Sequence, residues 1–88
     1  MAKKSAVEFA RDRYGEEVGA IAEYIRAKGM AREPELVEYM KGLESTSPEW
    51  DEEMLLTHVK SAMENLYASN IIEVNPSNGR LVAKWIGD

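Results

Sequence analysis

The chain's one histidine, His58, lies a helical turn beyond the acids Glu52 and Glu53, close enough for metal binding or proton transfer to be considered. Nothing else supports that chemistry. There is no cysteine, no P-loop, no G-x-G-x-x-G and no pair of ligand residues at an established metal-site spacing, so neither enzyme activity nor a metal or cofactor is expected. The polar residues of the same stretch suit recognition instead. Thr57, His58, Lys60, Ser61 and Asn65 offer hydrogen bonds to base edges and phosphates, and an asparagine is suited to adenine. Asn78, Arg80 and Lys84 add a second group whose arginine could reach a phosphate or a minor groove. Trp50 and Met54 are of a different kind, because large apolar residues four apart on a helix suit a protein-binding patch.

The element that must carry the first group is a helix. Val59, Met63 and Leu66 recur at i, i+4 and i+7, and Asn70 followed by Ile71 and Ile72 stops the helix and starts a strand. At 100° per residue, Leu55, Ala62, Met63 and Leu66 fall within about 60° of the Val59 direction. Thr57, Ser61, Glu64 and Ala68 then point away, and His58, Lys60 and Asn65 lie on the flanks. Beyond Ile72, two β-prone runs flank Pro76 and the Asn78-Gly79 pair, which predicts a hairpin over 72–85.

Upstream, Ser5-Ala6-Val7-Glu8 has the form of a capping box and opens a short helix with Val7, Ala10 and Tyr14 on one stripe, ended or bent by Gly15. A second helix over 16–28 repeats Val18, Ile21, Ala22 and Ile25, with acids in its first turn, Arg26 and Lys28 in its last, and Gly29 as its stop. Residues 30–33 read as a connection, with no strand signal strong enough to assert. Pro34 favours a first turn, and Leu36, Val37 and Met40 give the inward stripe of a helix over 34–41.

The order of Val59, Met63, Leu66, Asn70, Ile71 and Ile72 resembles the recognition helix of the winged helix-turn-helix superfamily, with Asn70 in place of the usual glycine. Asparagine is the next best residue for the left-handed conformation that closes such a helix. The resemblance covers roughly residues 16–85 and implies an α+β winged helix-turn-helix: a three-helix core, an extra N-terminal helix over 1–15 and a C-terminal β-hairpin wing, all in one domain. The extra helix is expected to be a lid on the core or an arm for a homodimer. The insertion at 44–53, where a turn of three or four residues is usual, departs from the pattern. The function implied is a small DNA-binding protein, a transcriptional regulator, whose third helix reads double-stranded DNA while the wing contacts its backbone. The alternative is a winged-helix module that binds a protein partner and no DNA.

Composition bounds both readings. At 88 residues and 44% hydrophobic content there is room for one small core, and no apolar run approaches the length of a membrane span. Met1-Ala2-Lys3-Lys4-Ser5 precedes no signal-type apolar block, so a soluble, unprocessed, cytoplasmic protein is expected, in keeping with the absence of cysteine. The net charge of −5 is uneven. Residues 33–53 hold eight acids against Lys41 alone, whereas 1–32 hold seven Lys/Arg against five acids. Glu49, Asp51, Glu52 and Glu53 would meet phosphates if the third helix docked on DNA by its N-terminal end. A solvated helix face favoured by the helix dipole carries the same acids without any function.

The start of that helix decides what Trp50 does. Ser47-Pro48-Glu49 is a strong start signal, and a straight helix over 48–69 points Trp50 away from Val59 by half a turn, with Met54 beside it. The expectation is therefore a continuous helix whose Trp50/Met54 patch is covered by the N-terminal helix, a second copy or a partner. A break before Met54 that turns Trp50 inward is the other reading.

Overall fold

The computed structural model of the chain describes residues 5–44 and 46–87. Residues 1–4, on which the expectation of an unprocessed start falls, Ser45 of the 44–53 insertion, and Asp88 lie outside the described residues.

Helix α1, Ala6–Tyr14, begins as the capping box predicts, with Ser5 Oγ accepting the Glu8 N–H at 3.2 Å. Gly15 alone separates it from α2, Glu16–Lys28, so the two helices fold back on each other. Val7 and Ala10 are thereby buried against the rest of the chain, and the Tyr14 hydroxyl lies 2.6 Å from Ser69 Oγ. Helix α1 thus packs on the same core cluster as α2.

After α2, the residues read as a connection form strand β1, Met30–Arg32, followed by α3, Glu33–Lys41. Helix α4 spans Glu52–Ala68, and the hairpin strands are β2, Ile72–Ser77, and β3, Arg80–Trp85. The described residues thus form an α+β architecture of four helices and one antiparallel sheet in the order β1-β3-β2, compatible with a winged-helix-like layout. Asn70 takes a φ of 60°, the left-handed conformation expected of an asparagine that closes a helix. Asn78 and Gly79, with φ of 52° and 76°, make the two-residue turn that suits strand twist. Pro76 falls in β2, an edge strand, where a missing donor is tolerated.

The core is shared by α2, α3, α4 and the sheet. Ile21, Ile25, Leu36, Met40, Val59, Met63 and Leu66 are fully buried, together with Ile72, and Val18 and Ile71 are buried with them. Ala31 pairs with Ala83 across the β1–β3 ladder, both buried, so the inner face of the sheet is narrow and close to the helices.

The continuous helix over 48–69 is not formed. Ser47 to Trp50 makes a turn instead, with the Trp50 N–H donating to Ser47 O at 3.1 Å and the Glu49 N–H to Ser47 Oγ at 3.3 Å. Asp51 then supplies a second cap, accepting the Met54 N–H at 2.9 Å, and α4 starts there. Trp50 turns inward, half-buried against the core cluster. A tryptophan presents some 150–250 Å². At roughly 25 cal/mol per Å², sheltering half of it is worth about 2 kcal/mol. One more helical turn offers less, since propensity differences amount to tenths of a kcal/mol per residue. Burial decides against the Ser47-Pro48 start.

Glu33 holds the hairpin to α3. It is 4% exposed, and its Oε1 accepts the Leu81 N–H at 2.6 Å, while Oε2 is buried without a hydrogen bond to the described protein. Its removal unpairs an amide but relieves a carboxylate of desolvation, so Glu33→Ala is expected to cost only about 1 kcal/mol. Its signature is local: amide hydrogen exchange at Leu81 accelerates, and Glu33→Gln, which keeps an acceptor, restores protection. Unchanged exchange at Leu81 in Glu33→Ala would disprove the latch.

Candidate binding face on helix α4 and the hairpin

Helix α4 divides into four sides. Leu55, Val59, Ala62, Met63 and Leu66 face the core. Thr57, Ser61, Glu64 and Ala68 are exposed, as their rotation predicts. Of the two flanks, one is turned to α2 and the other to the hairpin, and the sequence-predicted residues are split between them.

His58 belongs to the α2 side. Its Nδ1 lies 2.9 Å from Glu17 Oε1, and its ring stacks on Trp50 with centroids 4.1 Å apart and planes 14° from parallel. The imidazole is therefore engaged in joining α2, α4 and the 42–51 connection. Its partner is Glu17 of α2, and neither Glu52 nor Glu53, the acids near it in sequence, pairs with it among the described residues. Asn65, about 120° from Val59 in the same sense, is half-buried on this flank.

Lys60 belongs to the hairpin side. It lines a hollow of about 260 Å³ with Met63, Glu64, Tyr67, Val74 and Leu81. Next along α4, a hollow of about 360 Å³ lies between Pro34 and Val37 of α3, Glu52, Glu53 and Leu56 of α4, and Arg80 of β3. Arg80 thus stands opposite the first turn of α4. Asn78 is exposed in the hairpin turn. Lys84 does not join them: it lines the outer face of the sheet with Met30 and Arg32. Lys60, Asn78 and Arg80 are accordingly the candidates on the α4–hairpin side, Thr57 and Ser61 are on the outer side of α4, and His58, Asn65 and Lys84 lie elsewhere.

Trp50 and Met54, expected to form one patch, are separated. Trp50 is covered by its own chain, and Met54 remains 43% exposed beside Asp51, Glu53, Thr57 and His58. Residues that the sequence did not single out complete the face. Tyr67, 58% exposed, and the half-buried Leu56 and Leu81 supply its apolar surface. A signal existed for two of them, since Leu56 and Tyr67 sit about 60° and 80° from Val59 on the flank that also carries Lys60.

The electrostatics favour cations. Lys41 Nζ donates to Glu38 Oε2 at 2.7 Å and to Glu52 Oε1 at 2.5 Å, and these carboxylates raise its pKa from 10.5 to about 12. Glu49, Asp51 and Glu53 complete the acidic end of α4, all exposed. No group of three or more potential metal ligands occurs among the described residues. No helix there is long and apolar enough to cross a membrane. Comparison with protein-family models, curated proteins and solved structures finds no match.

Proposed function

We propose that the chain is a cytoplasmic winged-helix module that acts by binding and not by catalysis, and that the face made by α4 and the hairpin docks a protein. The winged-helix assignment is supported by the order of α2, β1, α3, α4 and the hairpin, by the β1-β3-β2 sheet, and by the left-handed Asn70 at the end of α4. The observation that carries the docking reading is the charge around α4. Glu38, Glu49, Asp51, Glu52, Glu53 and Glu64 surround it, against Lys41, Lys60 and Arg80, a balance of six acids to three bases. Lys41 is moreover already shared by two of those acids. A duplex laid along α4 would bring its phosphates to the acidic end.

A second reading, a DNA-binding transcriptional regulator, retains one specific observation. Thr57, Lys60 and Ser61 are exposed on α4, with Arg80 on the neighbouring hairpin, as a reader and a wing would place them. A titration of random and genomic duplex fragments separates the two. The docking reading expects no detectable duplex binding at ~50 mM salt, where nonspecific affinity is still strong for proteins that use phosphate contacts. Binding that weakens with salt, and whose salt slope falls by about one unit in Lys60→Ala and again in Arg80→Ala, would establish the DNA reading in its place.

A further inference from the structure

Three features outside the established packing invite a ligand: the outer face of the sheet, the hollow beside Met54, and the two hollows between α4 and the hairpin. The outer sheet face mixes Arg32 and Lys84 with Glu35 and lacks a converging set of groups. The hollow beside Met54 is bounded by the carboxylates of Asp51 and Glu53 and has little apolar floor. The α4–hairpin hollows differ in kind.

They lie end to end along α4, from Leu56 to Tyr67, a distance of about 17 Å at the helical rise. Their floors are apolar, made by Val37 and Leu56 at one end and by Met63, Val74 and Leu81 at the other. Tyr67 stands exposed at the second end, and tyrosine is among the residues that most often dominate binding patches. The charge is graded along the same line. Glu38, Glu52 and Glu53 bound the first hollow, with Arg80 opposite and Lys41 bonded to Glu38 and Glu52, which leaves Glu53 as its unpaired acid among the described residues, whereas the second has only the offsetting pair Lys60 and Glu64 on its rim. Glu53 has no ion pair for its carboxylate among the described residues, and it is exposed at the mouth of the first hollow.

We infer that this trough takes one amphipathic peptide segment of a partner protein, with apolar side chains seated between Tyr67, Val74 and Leu81 and a Lys or Arg placed against Glu53. The inference rests on the protein-docking reading and names the chemistry of the partner. An acidic segment is rejected at the first turn of α4. A polar one leaves the floor of the second hollow unfilled. The segment's basic and apolar ends are set apart by the length of the trough, which fixes its direction along α4.

The test is selection of a phage-displayed library of random 16-residue peptides on the full chain. The strongest peptide is then synthesised beside a version with each Lys and Arg changed to Glu. Fluorescence anisotropy gives affinities, and amide shifts in 15N NMR spectra give the site. The expected result is a peptide with apolar residues and a Lys or Arg that shifts Leu56, Tyr67, Val74 and Leu81. Its charge-reversed version and the exposed-site variants Glu53→Lys and Tyr67→Ala should each weaken binding by about tenfold or more. Circular dichroism melts confirm that both variants remain folded. No enrichment, or shifts confined to the outer sheet face, overturns the inference. Enriched acidic or uncharged peptides that shift the same residues overturn it while leaving the docking reading standing. Duplex DNA that shifts Thr57, Lys60 and Ser61 overturns both.

Discussion

Leu66→Ala should lower stability by roughly 2 to 5 kcal/mol, the range for removing a large aliphatic side chain from a packed core. Leu66 is 0% exposed, on the side of α4 that meets the core cluster. A domain of this size has a total stability of only about 4 to 13 kcal/mol. Each kcal/mol moves the melting midpoint by about 4 to 8 °C at this length, so a fall of at least about 8 °C is expected in a circular dichroism melt. The next residue is the control. Tyr67 is 58% exposed, and Tyr67→Ala should change stability by no more than about 0.5 kcal/mol, as surface substitutions generally do. Equal losses from the two neighbours, or a Leu66→Ala protein melting within a degree or two of wild type, would mean that α4 is rotated from the register on which its faces depend.

That register is legible in the sequence because it is a local property. Val59, Met63 and Leu66 set the inward side of α4, and Thr57, Ser61 and Glu64 fell outward as the rotation requires. The same holds where one or two residues decide an element alone: Ser5 opening α1, and Asn78-Gly79 turning the hairpin. What escaped depends on parts of the chain far apart in sequence. Strand β1 is three residues of ordinary propensity, made a strand by pairing Ala31 with Ala83 near the other end of the chain. The start of α4 falls at Asp51 although Ser47-Pro48 is the stronger local signal. The inward turn of Trp50 onto His58 and the core, together with the Asp51 cap, outweighs it. For the candidate face, rotation gave each residue an angle but no neighbour. It could not tell that the His58 flank meets Glu17 or that the Lys60 flank meets Leu81. Tyr67 is in the same position: rotation puts it on the Lys60 flank, but an aromatic on a flank is unremarkable until the hairpin is laid beside it.

The close approach of α1 to α2 leads to a result opposite to the usual rule for glycine in a helix. On an open helix surface, Gly19→Ala would gain about 1 kcal/mol of helix propensity. Here a methyl group at Gly19 would stand 2.7 Å from Arg11 Cβ and 3.0 Å from Arg11 Cα. Those atoms belong to or adjoin the α1 backbone, so no side-chain rotation relieves the overlap and α1 itself must shift. Overpacking of this kind costs about 1 to 3 kcal/mol, enough to cancel the propensity gain and leave Gly19→Ala neutral to destabilising. Gly19→Val adds two further carbons and loses the propensity gain through its branched Cβ, so a loss of about 2 kcal/mol or more is expected. The damage should fall first on α1. The helix is held by Val7, Ala10 and the Tyr14–Ser69 contact, and with a single residue, Gly15, joining it to α2 it cannot re-dock at a wider spacing. Amide exchange over Ala6–Tyr14 and tryptic cleavage at Arg11 and Arg13 should both accelerate in Gly19→Val before α4 loses protection. Gly42→Ala serves as the control, because its φ of −87° suits any residue and the nearest atom to the added carbon, Tyr39 O, lies 3.5 Å away. It should leave the midpoint nearly unchanged. If Gly19→Ala instead raised the midpoint by the full propensity gain, α1 would not lie against α2 at this distance, and the N-terminal helix would be free to serve as an arm between chains.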